Sequence, residues 1–305
     1  MARLRFEPAA ASMRLLGDEA MPRLGEFKPQ ELANTAWAFA TLGTPAPQLF
    51  DAIACKSEQR IGEFEPQGLA NTAWAFATLG MPAPELFEAI ARESEQRIGS
   101  FNPQDLANTA WAFAIAVEGD RGLLVEAVSA RAAEMGLAAF SGDERCQLHQ
   151  FLLGVELEAC PLTELLAPIG RWDACRQAMV DEKPVRSSKL HKDVSSELTR
   201  MGVTHTNELS VPRLGYHVDI AISPIAIASM PGTAAGSGTL DQPLDEVAAR
   251  ARKAVRAATA EYAGIAIEVN GPSHYPASEM IRRHLALAGW AVLAVPYWEW
   301  DALKG

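Results

Sequence analysis

Two acidic residues stand where acids are costly. Asp219 lies inside Tyr216-His217-Val218-Asp219-Ile220-Ala221-Ile222, and Glu268 inside Gly264-Ile265-Ala266-Ile267-Glu268-Val269-Asn270. A carboxylate flanked by Val and Ile needs a charge partner, a metal ion or a strand end to offset its lost hydration. Two such acids on neighbouring strands could hold one divalent cation over a phosphate, the arrangement that metal-assisted hydrolysis uses. Hydrogen bonds from local N–H groups, or contacts with Arg282 and Arg283, would satisfy them as well. The residues alone leave both readings open.

A second set of residues recurs at a fixed interval. The phrase F-x-P-Q-x-L-A-N-T-A-W-A-F-A begins at Phe27, Phe64 and Phe101, a step of 37 residues each time. It places Asn34, Asn71 and Asn108 in one row, with Thr35, Thr72 and Thr109 beside them. An amide can hydrogen-bond a base edge, and a regular row suits a strand of RNA. The competing reading is an internal ladder, each Asn satisfying backbone groups of the next unit. Identity across units favours the ladder, since a position that reads sequence should vary. Trp37, Trp74 and Trp111 could stack on bases. A Trp between Ala33 and Ala40 reads as core.

The elements that must carry these residues follow from periodicity. A repeat of roughly 20–50 residues means stacked supersecondary units. Pro29, Pro66 and Pro103 fit the first turn of a helix, where the missing N–H has no intrahelical partner anyway. Gly43 and Gly80 end that helix. Pro47 and Pro84 open a second one, which runs to Gly62 and Gly99. The expectation is an α-solenoid of helical hairpins over residues 1–182, with units near 27–63, 64–100 and 101–137. A degenerate unit over 138–182 contains Phe140, Leu148, Phe151 and Leu152. The stretch from Met13 to Glu26 aligns with the second helix of a unit. The chain therefore opens inside a preceding unit, either a terminal cap or part of a longer array.

Residues 183–305 do not repeat. Helical spacing over Ser187 to Gly202, strands at Val203–Leu209, Tyr216–Ile222, Gly264–Asn270 and Trp290–Pro296, and a helix from Ala277 to Ala288 predict a small α/β domain. Ser229 to Pro243 is rich in Gly, Ala, Ser and Pro and reads as a flexible loop. Leu244 to Tyr262 reads as a helix with Arg252, Lys253 and Arg256 on one face, either contacting phosphates or merely solvated.

Bulk properties limit the functions. The 305 residues carry a formal charge of −11. Residues 1–182 hold 26 acidic and 14 basic side chains, and residues 183–305 hold 12 and 13. The acidic half argues against tight nonspecific phosphate binding there and suits a protein partner. No run approaches the ~20 apolar residues of a membrane span. Cys55, Cys146, Cys160 and Cys175 form no C-x-x-C pair and read as reduced core thiols of an intracellular protein. Cys146 and His149 are only two of the four ligands a structural zinc needs. Arginines near the N-terminus are mixed with Glu7, Asp18 and Glu19, which makes a poor transit peptide.

Several motifs in order carry a resemblance: Ile267-Glu-Val-Asn-Gly-Pro-Ser-His-Tyr275, Arg282-Arg-His-Leu285, Gly289-Trp290 and Val295-Pro-Tyr-Trp-Glu-Trp-Asp301, with Val218-Asp219-Ile220-Ala221 upstream. Together they resemble a RAP domain over residues 187–305, a family found in apicomplexans, algae, plants and the FAST kinase family. The repeats resemble octotricopeptide-like repeats, which commonly precede RAP domains. The resemblance implies a fold similar to PD-(D/E)xK nucleases, with Asp219 and Glu268 at the two acid positions and Asn270 at the position normally held by Lys. A neutral amide cannot supply the ammonium of such a site. His274 could stand in as a base. The residues 223–262 form an insertion relative to the family.

The resemblance implies an RNA-binding protein of mitochondrial or, alternatively, plastid RNA metabolism, acting on single-stranded or structured transcripts. His274, Tyr275, Arg282, Arg283 and Trp298 are its candidate contacts, beside Arg252, Lys253, Arg256 and the Asn row. An endoribonuclease using Asp219 and Glu268, and needing Mg²⁺ or Mn²⁺, is the first alternative. Without cleavage no cofactor is expected. A protein-interaction scaffold is the second alternative.

Overall fold

The computed structural model describes residues 3–116, 122–157, 172–181, 188–211, 214–223, 264–270 and 275–296. The chain divides into two compact units, Met1–Ala178 and Met179–Gly305. Among the described residues no helix is long and apolar enough to cross a membrane.

The first unit is a stack of helical hairpins. Helix α1 spans Arg3–Ala20, α2 Pro29–Thr41, α3 Pro47–Gln59, α4 Pro66–Leu79, α5 Pro84–Arg97, α6 Pro103–Ala116, α7 Gly122–Met135 and α8 Gly142–Leu157, while α9, Asp173–Asp181, runs across the boundary into the second unit. Proline is the first residue of α2 to α6, as the sequence predicts. The Lys28 N–H donates to the Glu31 carboxylate at 2.7 Å, and the Asp105 N–H donates to Asn102 Oδ1 at 2.9 Å, which caps α2 and α6. Gly80, with φ 62°, closes α4 in the left-handed conformation that costs glycine least. The second helices stop at Gln59 and Arg97, earlier than the expected Gly62 and Gly99. Short 3₁₀ turns, Ile61–Glu63 and Ile98–Ser100, fill the difference.

Helices α2, α4, α6 and α8 pack in sequence as one row, and α3, α5 and α7 as a second. Between the rows lie Phe50, Phe64, Phe76, Phe101 and Phe113, all fully buried. Phe50 and Phe76 meet at 4.8 Å between centroids, and Phe87 and Phe113 at 5.2 Å, so the aromatic contacts bridge successive units. A repeated arginine ties the units further. Arg60 Nη1 donates to the Phe27 carbonyl and Arg97 Nη1 to the Phe64 carbonyl, both at 2.6 Å.

The second unit begins with α10, Lys189–Arg200, capped by Ser188 Oγ, which accepts the His191 N–H at 3.0 Å. Four strands follow: β1 Thr206–Val211, β2 Tyr216–Ile222, β3 Gly264–Asn270 and β4 Trp290–Pro296, with α11, Tyr275–Leu287, between the last two. The sheet order is β1-β2-β3-β4. The first three strands are antiparallel neighbours, and β4 runs parallel to β3. Three strands match their expected bounds. The first runs Thr206–Val211 instead of Val203–Leu209, and Val203 belongs to the core cluster ahead of the strand.

Val194 of α10 packs with Val203, Ile220, Ile222, Ile265, Ile267 and Val295, flanked by Leu190 and Leu198. That cluster covers one side of the sheet with α10. At Gly264 a Cβ would meet the Ile222 carbonyl oxygen at 2.9 Å and the Trp290 ring at 3.1 Å, so only glycine fits where β3 crosses them. The Tyr216 hydroxyl and His284 Nδ1 are 2.8 Å apart in a buried contact that anchors α11 to β2.

Two expectations are corrected. Trp37 is 46% exposed, and Trp74 and Trp111 are half-buried, so the tryptophans are not core. The alanines at neighbouring positions, Ala33, Ala36 and Ala40, take the buried side instead. Cys55 is exposed, whereas Cys146 and Cys175 are buried. Burial pushes the Cys175 thiol up to about 12. Cys160 and the helix expected over Leu244 to Tyr262 lie outside the described residues.

Candidate functional site

Hydrogen bonding in the sheet breaks down where the acids stand. The β2–β3 ladder ends at the pair Ile220 and Ile267. One step further, Asp219 faces Glu268, and the ladder bond is replaced by a side chain: the Val269 N–H donates to Asp219 Oδ2 at 2.7 Å. On its other flank Asp219 falls opposite Glu208. The β1–β2 register runs from Thr206↔Ala221 to Val211↔Tyr216, but this pair is skipped. Glu208 has φ 53°, the left-handed region that a non-glycine residue enters only at a cost of roughly 1–3 kcal/mol. Three carboxylates thus occupy one level of three adjacent strands.

Their environments differ. Glu268 is 8% exposed, and its Oε1 has no hydrogen-bond partner. Burial, then the Asp219 carboxylate, raise it to about 8; Glu208 adds to the rise, while the Asp219 N–H and Arg282 oppose it. Glu268 is therefore largely protonated at neutral pH. Asp219 and Glu208 are partly exposed.

A histidine completes the cluster. One ligand atom each from His191, Glu208 and Asp219 lies within 4.8 Å of the others. His191 Nδ1 is 3.3 Å from Glu208 Oε1. The sequence allowed a cation between Asp219 and Glu268; the structure groups Asp219 with His191 and Glu208, and puts Glu268 alongside. The orphaned Glu268 oxygen and the mixed imidazole and carboxylate donors fit a divalent ion.

Residues 267–305 match the RAP domain family. The chain is a RAP domain protein. The match starts within β3 and takes in α11 and β4, while α10, β1 and β2 precede it and the two strands complete the same sheet. Residues 6–148 match the family described as Tbc2 translation factor, N-terminal domain, which spans the hairpin stack. No curated protein matches the chain.

In this RAP domain protein the other predicted contacts scatter. Arg282, half-buried on α11, pairs with Glu279 and its charge reaches Glu268. Arg283 is half-buried on the same helix. Asn270 ends β3 and Tyr275 starts α11. His274, Trp298, Arg252, Lys253 and Arg256 lie outside the described residues.

In the hairpin stack Asn34 is exposed, and Asn71 and Asn108 are half-buried. Asn108 Oδ1 accepts from Gln147 Nε2 of the next unit at 3.1 Å, a side-chain contact and not the backbone ladder. Each Asn precedes a Trp by three positions and shares its helix face. Trp74 and Trp111 stack at 6.3 Å with 30° between planes. The result is a row of accessible rings and amides on α2, α4 and α6.

Sequence reading missed His191 and Glu208. Glu208 is an ordinary polar strand residue until the positive φ is known. His191 adjoins the Leu190, Val194, Leu198 stripe and carries no spacing motif. Its i+4 neighbour Ser195 was the available signal, because both lie on one helix face.

Proposed function

We propose that this RAP domain protein binds RNA and serves organellar RNA metabolism: processing, stability, ribosomal RNA maturation or translation of mitochondrial or plastid transcripts. The carrying observation is the row formed by Trp37, Trp74 and Trp111 with Asn34, Asn71 and Asn108, accessible on consecutive units. Base–aromatic stacking contributes about 1–3 kcal/mol per base and tolerates any sequence, while amides read base edges. The matches to the Tbc2 translation factor N-terminal domain and to the RAP domain support the reading, since the first is named for a translation factor and the RAP resemblance implies RNA contact.

The acidic stack adds little phosphate attraction. Charge contacts fall instead to the second unit, with Arg282, Arg283, His274, Tyr275, Trp298, Arg252, Lys253 and Arg256 as candidates. Crosslinking in the cell, followed by sequencing of the attached RNA, tests the proposal. Reads from mitochondrial or plastid transcripts are expected. Recovery of proteins without RNA would favour a scaffold that docks partners on the acidic stack.

A metal-dependent endoribonuclease is a second reading, favoured by the side-by-side Asp219 and buried Glu268. Such an enzyme would use Mg²⁺ or Mn²⁺ to polarise a phosphate and activate water. Asn270 at the usual Lys position weighs against it. Metal-dependent cutting of structured RNA, lost in Asp219→Ala, would establish this reading, and uncut RNA would remove it.

A further inference from the structure

His191 is held by a relay of hydrogen bonds whose polarity can be read from one end. His205 Nδ1 lies 2.9 Å from the Val203 carbonyl, which can only accept, so Nδ1 carries the proton. In the neutral ring His205 Nε2 is then an acceptor, and Ser195 Oγ, 2.8 Å away, donates to it. Having used its one proton, Ser195 Oγ accepts from Asn207 Nδ2 at 3.0 Å. That fixes the Asn207 amide with Oδ1 towards His191 Nε2, at 3.1 Å. Nε2 therefore carries a proton, and Nδ1 faces Glu208 Oε1, 3.3 Å away.

At that distance the ring nitrogen and the carboxylate oxygen need a proton or a metal cation between them. The same level of the sheet adds Asp219, within 4.8 Å of both, and Glu268, whose buried Oε1 has no partner. Ligands about 2.1 Å from an ion are roughly 3–4.2 Å apart, so these donors need to contract only slightly. A histidine that donates its second ring nitrogen to a fixed acceptor, leaving the first for a metal, is the usual outer-shell arrangement of a metal site.

We infer that His191 Nδ1, Glu208 and Asp219, with Glu268 beside them, bind one first-row divalent cation of the Mn²⁺ or Zn²⁺ kind. One imidazole among carboxylates suits such an ion better than Ca²⁺ or Mg²⁺, which take oxygen alone. The site draws α10, β1 and β2 together and stands independently of RNA binding or cleavage.

Titration of the full chain with Mn²⁺, followed by electron paramagnetic resonance, tests this. One bound ion per chain is expected, with ¹⁴N coupling from an imidazole in the pulsed spectrum. His191→Gln should abolish the coupling, and Glu208→Gln should weaken binding at least tenfold. Ser195→Ala, which breaks the relay without touching the ion, should weaken it about tenfold. Circular dichroism confirms that each variant is folded. Should His191→Gln fail to fold, the wild-type coupling and the partly exposed Glu208→Gln carry the test. No bound Mn²⁺ in the folded wild type would overturn the inference and leave His191 as an imidazolium paired with Glu208. Unchanged affinity in Glu208→Gln, or unchanged coupling in His191→Gln, would overturn it too.

Discussion

Glu268 concentrates the residue-scale chemistry. Its protonated form is favoured on folding, so the folded chain keeps a proton that the unfolded chain releases above about 4.5. The folded state then binds more protons between about 4.5 and about 8, and stability must fall as pH rises through that window. Glu268→Gln stays neutral throughout. With a chelator present, the variant should be more stable than wild type at pH 8, by on the order of 2 kcal/mol, and the gap should close by pH 5. Thermal unfolding at both pH values measures this; a gap that ignores pH would contradict the burial of an uncompensated acid. The thiols give a second check. Exposed Cys55 should react with a thiol reagent well before buried Cys146 and Cys175 in the native chain. Simultaneous reaction of all three would mean the hairpin core is open.

At the scale of elements, the clamp from Arg97 to the Phe64 carbonyl makes a definite prediction. Arg97→Met should lower stability by about 1 kcal/mol, or about 2–4 °C in Tm, because a charge-assisted bond between units is lost. An unchanged Tm would mean aromatic packing alone joins the hairpins. The positions of such elements were legible in the sequence. Proline marked the starts of α2 to α6, glycine the ends of α2 and α4, and period-two alternation the bounds of β2, β3 and β4, because these are local backbone preferences. What the sequence did not carry was orientation. Trp37, Trp74 and Trp111 occupy the same repeat position as a core residue would, and only the placement of Ala33, Ala36 and Ala40 decides which side is buried. Asp219 and Glu268 stood out as acids in apolar strands. Glu208 and His191 did not, because their approach to Asp219 depends on strand pairing and a left-handed residue, neither of which has a local signature.

At the scale of the whole molecule, an acidic hairpin stack that offers rings and amides is joined to a RAP domain that carries the proposed cation site and the candidate basic contacts. Such a division predicts moderate salt dependence. The slope of log K against log salt should have a magnitude of about 3.5 or less for single-stranded RNA, since the candidate Arg and Lys contacts of the second unit are the groups that neutralise phosphates. The most direct measurement is fluorescence anisotropy of a labelled single-stranded RNA with the purified chain and with a variant carrying Trp37→Ala, Trp74→Ala and Trp111→Ala. Binding by the wild type is expected to persist at moderate salt and to weaken at least tenfold in the folded variant. Equal affinity in both, or no binding to any RNA offered, would contradict it.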